Sequence, residues 1–331
     1  MNGLTFRAVR DEGDGAALAP IFQSRWPNYL RWYLSEGDRA RPNYAECARQ
    51  LKAHMPELVP AWERLTEQMI AGIGKDAGGG DLIARFLSLW NPPAFISGCT
   101  QAVWTRERPA LIRNYDYPPE LCDATLLHAK FADIQTMAMS DCLWGVLDGI
   151  NAHGLCVSLA FGGRLSRGDG FGIVIVLRYI LETCETAAQA LKVLQRVPVH
   201  LPYNLEVLDR AGDWHTIFIS PDRAPEVRRE PYSANRQDAT VLPEDASVRD
   251  TVRREALLEN VMGNPNETRE RLLERFTEPP IYRPVTQGGW GTLYTACYRP
   301  ETLGVQLRWR TTSWSQAIDG FTSGELAVTY P

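Results

Sequence analysis

Histidine is scarce: the 331 residues hold only His54, His128, His153, His200 and His215, which form neither an H-E-x-x-H site nor a short His pair. The seven cysteines (Cys47, Cys99, Cys122, Cys142, Cys156, Cys184 and Cys297) form no C-x-x-C pair, so no metal is expected. Their odd number in a chain this long also argues against a disulfide framework, and most are expected to be buried filler. Basic charge is short as well. Against 40 Asp and Glu stand 35 Lys and Arg, a net charge of -5, which excludes the broad basic face of a nucleic-acid binder. No apolar run approaches the roughly 18 residues of a membrane span; Ile173–Ile180 is too short and includes Arg178. Met1–Asp14 carries Arg7, Arg10, Asp11, Glu12 and Asp14 and no apolar segment, so no targeting signal and a cytoplasmic location are expected.

What is present is an ordinary globular composition, 44% hydrophobic and 23% charged. Residues 1 to about 90 read as helical. Trp26–Leu34 is aromatic and periodic, and Tyr44–His54 and Glu57–Ile73 repeat apolar residues at three and four. Gly78-Gly79-Gly80 separates that helix from Leu82–Leu89, with Asp81 as its N-cap, and Asn91-Pro92-Pro93 stops it. Strands then follow: Ala94–Trp104 and Ala110–Asn114 as a hairpin, Phe131–Met139, Cys142–Leu147 and Gly154–Phe161. Helices over Gly172–Leu194 precede a hairpin of Leu205–Leu208 and Trp214–Ile219. Helices over Val248–Met262 and Glu267–Phe276 lead to a closing hairpin of Leu293–Tyr298 and Val305–Trp309. The elements do not alternate as in a parallel βαβ protein. The fold class is α+β, with antiparallel sheets and segregated helices.

Four short motifs carry the chemistry. Ser97-Gly98-Cys99-Thr100 lies on the first strand of the hairpin, and Arg113-Asn114-Tyr115-Asp116 ends its partner. Asp148-Gly149-Ile150-Asn151-Ala152-His153-Gly154-Leu155 forms a turn, and Asn235 follows Tyr232-Ser233-Ala234. Singly, each has an ordinary explanation: a core thiol, a surface pair, a hairpin, a turn residue. The Gly-rich run Gly162–Gly172 lacks the G-K-[ST] ending of a phosphate cradle and reads as a flexible loop bordering a pocket. The leader aromatics Trp26, Tyr29, Trp32, Tyr33, Trp62 and Trp90 read as core before they read as acyl pocket.

In order and spacing, the four motifs resemble the N-terminal-nucleophile family that contains the penicillin-forming acyl-CoA acyltransferases and the choloylglycine hydrolases. The resemblance spans about residue 94 to the end and includes Leu177–Thr183 and Pro198–Asn204. It implies an αββα sandwich of four layers. It also implies that the chain cuts itself between Gly98 and Cys99, so that residues 1–98 form a helical chain that stays bound and 99–331 the catalytic chain. The physical sense of such a cut is a base. A free cysteine has a pKa of about 8.5, whereas a new α-amino group titrates near 7.7–8.0 and can take the proton of its own thiol. Gly98, without a Cβ, permits close approach to the scissile carbonyl.

By the resemblance, Arg113 favours the Cys99 thiolate, Asp116 orients the α-amino group and Asn235 donates to the oxyanion. A backbone N–H near Ala160 or Phe161 supplies the second oxyanion donor, and an arginine opens the helix after Asn235. Arg249 and Arg253 compete for that place, with Arg253 preferred. The reaction implied is attack on a linear, non-peptide C–N amide, or a thioester, through an acyl-enzyme thioester, with no cofactor. Expected partners are that small-molecule substrate and the chain's own N-terminal fragment; self-association is compatible with it, nucleic acid and membrane are not expected. Three alternatives stay open: transfer of the acyl group to an amine in secondary metabolism, an uncut, catalytically idle binding protein, and an uncut papain-like thiol enzyme that uses an internal histidine.

Overall fold

The computed structural model describes residues 2–73, 80–238, 250–285 and 289–330. The leader contributes strand β1 (Asn2–Asp11) and helices α1 (Ala19–Tyr33), α2 (Tyr44–His54), α3 (Val59–Ile73) and α4 (Gly80–Ser88). Then follow β2 (Gly98–Trp104), β3 (Ala110–Tyr117), β4 (Thr125–Ala129), β5 (Thr136–Asp141), β6 (Gly145–Asn151) and β7 (Cys156–Phe161). Helices α5 (Ile173–Thr183) and α6 (Ala187–Arg196) lead to β8 (Tyr203–Leu208), β9 (Trp214–Ser220), β10 (Arg223–Arg228) and β11 (Tyr232–Ser233). Helices α7 (Thr251–Gly263) and α8 (Arg269–Arg275) precede β12 (Gly291–Arg299), β13 (Gly304–Arg308), β14 (Ser313–Ala317) and β15 (Gly324–Tyr330).

These strands build two sheets, one of nine in the order β10-β9-β8-β7-β6-β5-β4-β1-β15 and one of six in the order β11-β2-β3-β12-β13-β14. Strands β2 and β3 lie face to face with β7 and β8, which joins the sheets. Helices α5 and α6 cover the outside of the nine-stranded sheet. On the other outside, Leu258, Leu272 and Phe276 of the α7–α8 region pack on Ala102, Ile112 and Cys297 of the six-stranded sheet. Each such fully buried Leu or Phe contributes about 1.5–3 kcal/mol. The result is an αββα sandwich, the α+β class that the order of elements implied. Because both faces are covered, β2, β5, β6, β7 and β8 are buried along their whole length and read as near-continuous buried runs.

Three expectations change. The leader is not wholly helical: Asn2–Asp11 is a strand held antiparallel to β15 and parallel to β4. Phe6 and Ala8 point inward with period two, but the strand's partners are more than a hundred residues away, beyond any local signal. Asp81 is not the cap of α4, which begins at Gly80; Asp81 sits in its first turn and accepts from Arg85 at 3.4 Å. Gly78 and Gly79 fall outside the described residues, as do Val248 and Arg249. Finally, Asp148–Asn151 belongs to β6 and not to a turn. Asn151 Oδ1 accepts from the N–H of His153 and Leu155, and Gly154 takes φ +85°, so these two residues shape the turn that follows.

Candidate active site

Cys99 is the second residue of β2 and is fully buried. Alternation sends Cys99 and Val103 into the core between the sheets and Ala102 and Trp104 towards the helices. The β2–β3 register sets Cys99 opposite Tyr115, Gly98 opposite Asp116 and Gln101 opposite Arg113. Arg113 therefore shares the inner face with the thiol, and its Nη2 lies 3.2 Å from Sγ. Ser97 Oγ is 3.5 Å from the same sulfur. Burial pushes the Cys99 thiol up, and the Arg113 guanidinium pulls it back.

Arg113 is itself clamped. Its Nε donates to the Leu159 carbonyl at 3.0 Å, and its Nη1 pairs with Asp148 Oδ2. Tyr294 and Tyr298 donate to the two oxygens of Asp148 at 2.7 and 2.6 Å. Asp148 thus fixes the guanidinium plane that faces the thiol. Asp148 sits in β6 and not in the turn that its Asp-Gly neighbourhood suggests. An acid directly after the buried run Cys142–Leu147 was the available signal.

Asn235 reaches the site because β11 adds to the edge of β2. Ser233 pairs with Gln101, so two residues on, Asn235 comes beside Cys99. Its Oδ1 accepts the Cys99 N–H at 2.9 Å, and its Nδ2 donates to the carbonyls of Ser97 at 3.1 Å and Phe161 at 3.0 Å. Gly163 makes this approach possible: it takes φ +69°, and a Cβ there would stand 2.2 Å from the Asn235 carbonyl oxygen. The Gly-rich loop is therefore packed at its start, where Gly162 and Gly163 are buried, while Leu165, Arg167 and Asp169 are exposed. It is also tied to the end of the leader, by Asn91 N–H to Gly170 O at 2.9 Å and Gly172 N–H to Leu89 O at 2.8 Å.

The α7 arginine that reaches Cys99 is Arg254 and not Arg253. Buried positions of α7 are Thr251, Arg254, Leu258 and Val261, spaced by three and four, whereas Arg253 faces solvent. That spacing was readable from Leu258 and Val261. Arg254 donates to the Cys99 carbonyl at 2.7 Å, to Thr100 Oγ1 at 2.5 Å and to Asn235 Oδ1 at 3.1 Å.

Asp116 lies on the helix side of β3, where Thr292 donates to its Oδ1 at 2.7 Å. Arg254 and Arg283 stand 4.0 and 3.9 Å from its Oδ2. Burial raises its pKa, and Arg254 opposes that most. In the intact chain the Cys99 N–H goes to Asn235 and not to Asp116. Ala160 faces Asn204 across β7–β8, and what Phe161 presents to Asn235 is its carbonyl.

Two residues past the thiol, Gln101 enters a buried polar network. It donates to Ser233 Oγ at 2.9 Å, and Ser233 donates to Glu206 Oε1 at 2.8 Å. The single Thr216 hydroxyl hydrogen has two acceptors in reach, Glu206 Oε2 at 2.5 Å and the Glu230 carbonyl at 2.7 Å. A carbonyl can only accept, so all groups are satisfied when Glu206 carries a proton and donates to Thr216. Burial accordingly pushes Glu206 up to about 8. A carboxyl raised on folding contributes stability that is complete below its unfolded pKa of about 4.3 and lost as pH rises through about 8. Glu206→Gln is expected to match the parent in thermal unfolding at pH 5 and to exceed it by about 2 °C or more at pH 8.5. A deficit that is equal at both pH values would mean that Glu206 is ionised in the fold.

Among the described residues, no group of three His, Cys, Asp or Glu could hold a metal ion, and no helix is long and apolar enough to cross a membrane. All seven cysteines are unpaired.

Residues 104–314 match the model of a family described as acyl-coenzyme A:6-aminopenicillanic acid acyl-transferase. That span holds Arg113, Asp116, Asn235 and Arg254 and begins just after Cys99. No curated protein matches the sequence. Among solved structures, the chain is similar to a mutant of conjugated bile acid hydrolase from Clostridium perfringens, at 11% identity over 69% of this chain and 96% of that one, with a TM-score of 0.46. It is also similar to penicillin V acylase from Agrobacterium tumefaciens, at 14% identity, 67% and 86% coverage and a TM-score of 0.47. A third is the Caenorhabditis elegans ortholog of N-acylethanolamine-hydrolyzing acid amidase, at 19% identity, 62% and 93% coverage and a TM-score of 0.42.

Proposed function

The chain belongs to the acyl-coenzyme A:6-aminopenicillanic acid acyl-transferase family, and from that premise we propose that it is a cysteine N-terminal-nucleophile amidohydrolase. It cuts itself between Gly98 and Cys99 and then breaks a linear, non-peptide amide through an acyl-enzyme thioester. The observation that carries this reading is the single hydrogen-bonded cluster around Cys99: Arg113 on the sulfur, and Asn235 on the amide nitrogen and on the Ser97 carbonyl just before the cut.

In the cut, the Cys99 sulfur bonds to the Gly98 carbonyl carbon, and the Gly98–Cys99 C–N bond breaks as the nitrogen takes the thiol proton. Water then hydrolyses the resulting thioester, leaving a Gly98 carboxyl and a free Cys99 amine. In the mature enzyme that amine removes the thiol proton, and Arg113 holds the thiolate. Asn235 Oδ1, already the acceptor of the Cys99 N–H, keeps the amine in place, and Asp116 adds a negative charge nearby. Departure of Ser97 frees one Asn235 N–H, which then points at the substrate oxyanion, a donor worth about 3–4 kcal/mol. The place of β1 between β4 and β15 supports a leader that stays bound after the cut. Seven unpaired thiols fit a reducing, cytoplasmic setting.

The test is to incubate the protein with an octanoyl p-nitroanilide and with octanoyl-coenzyme A, and to take the mass of the fragment that begins at Cys99. One octanoyl adduct on that cysteine, released by water, is expected. Adding an excess of a primary amine and weighing free acid against new amide separates hydrolysis from acyl transfer. No adduct from either donor would remove the acylase reading.

A further inference from the structure

Two cavities are lined by the end members of a row of aromatic rings, Tyr294 and Tyr117. Tyr115, opposite Cys99 in the ladder, lies 5.3 Å from Tyr117 and 5.6 Å from Tyr294 between ring centroids. Tyr294 lines a cavity of about 430 Å³ with Tyr282, Trp309 and Val328, roomy enough for an acyl chain. Tyr117 lines a much smaller one, of about 60 Å³, with Tyr29, Trp32 and Phe95 and the carboxylates Asp123 and Asp141.

The small cavity holds a buried carboxyl oxygen that no donor among the described residues answers. Asp123 Oδ2 accepts from Tyr29 OH at 2.5 Å and from the Leu143 N–H at 3.1 Å. Asp123 Oδ1 has no hydrogen-bond donor among the described residues, although Asp123 is only 2% exposed. Arg25 Nε stands 3.9 Å from it, with its Nη atoms donating to the carbonyls of Glu120 and Cys122. Asp141, also buried, accepts from the Cys142 N–H at 2.9 Å. Burial pushes both carboxyls up, and Asp123 adds to the push on Asp141. One guanidinium against two carboxylates leaves one negative charge over when both ionise. Aromatic walls around such a charge suit an organic cation. At about 60 Å³ against about 430 Å³ for the first cavity, the small cavity suits a compact ammonium head and not an acyl chain.

We propose that the Asp123–Asp141 cavity is the subsite for a primary ammonium group at the far end of the leaving amine, so that the preferred substrates are N-acyl diamines. The large cavity takes the acyl chain, and the amide is presented to Cys99, whose ladder partner Tyr115 stands between Tyr117 and Tyr294. This rests on Cys99 being the nucleophile of an acylase.

The experiment compares N-octanoyl-1,4-diaminobutane with its uncharged analogue N-octanoyl-pentylamine on the full-length protein, alongside calorimetry with n-butylammonium chloride and with n-butanol. The charged amide is expected to lead in kcat/KM by at least tenfold, and Asp141→Asn to bring that ratio to about two or below. Trp32→Ala, on the half-buried wall, carries the same expectation if the first variant does not fold. Equal turnover of both amides would overturn the ammonium subsite and leave the acylase reading standing. Turnover of neither would count against the acylase reading, and calorimetry then decides alone. Saturable heat from n-butylammonium, absent with n-butanol and lost in Asp141→Asn, supports the subsite; no such heat overturns it.

Discussion

Cys99→Ala is expected to remain one intact chain under denaturing conditions, where the parent separates into fragments 1–98 and 99–331. The thiol is the only nucleophile proposed to attack the Gly98 carbonyl, and alanine leaves the backbone of β2 undisturbed. The β2–β3 register and the bond from Asn235 to the Cys99 N–H both use main-chain groups, so the variant folds. Acylase activity should fall about 10³-fold or more, as when the nucleophile of a hydrolase is removed. Intact mass with N-terminal sequencing checks both parts. If parent and variant are equally uncut, the α-amino base does not exist, and the idle binding protein or a thiol enzyme with an internal histidine becomes the better reading.

Arg113→Lys is expected to raise the thiol's apparent pKa and to lower kcat/KM by about 10²-fold or more. The planar guanidinium reaches the Leu159 carbonyl, Asp148 and the Cys99 sulfur at once, and the Tyr294 hydroxyl besides. An ammonium on a flexible stem cannot hold all of these, and Asp148 has the stronger claim on it. The sign follows from charge: a cation beside the sulfur favours the thiolate, so taking it away moves the titration to higher pH. The measurement is the pH dependence of iodoacetamide alkylation in the mature protein. An unchanged midpoint with reduced thermal stability would make Arg113 a structural residue alone. Asp148→Asn tests the clamp itself. Breaking this fully buried pair from the acid side should destabilise the fold by about 3–5 kcal/mol, since Arg113 is left charged inside the core.

Local pattern was legible where neighbours in sequence are neighbours in space. Tyr44–His54 reads as a helix from its apolar spacing, and α2 spans those residues. The β2–β3 hairpin follows from the charged turn at Arg106–Pro109, and it alone brings Arg113 to the inner face beside Cys99. The arginine of α7 is within reach too: the helical phase of Leu258 and Val261 selects Arg254, whereas position in the chain alone favours Arg253.

The residue order by itself determined the α+β class, the hairpin that carries the thiol, and the set of polar residues available to it, because strand alternation and helix spacing depend on a few consecutive positions. The tertiary structure alone decided which of those polar residues meet. Strand β1 enters the nine-stranded sheet beside β4, Asn235 arrives through an edge strand far along the chain, and Asp148 reaches Arg113 across the gap between the sheets. Those meetings bury charge and are set by the packing of two layers, where a contact's partner has no periodic relation to it in sequence.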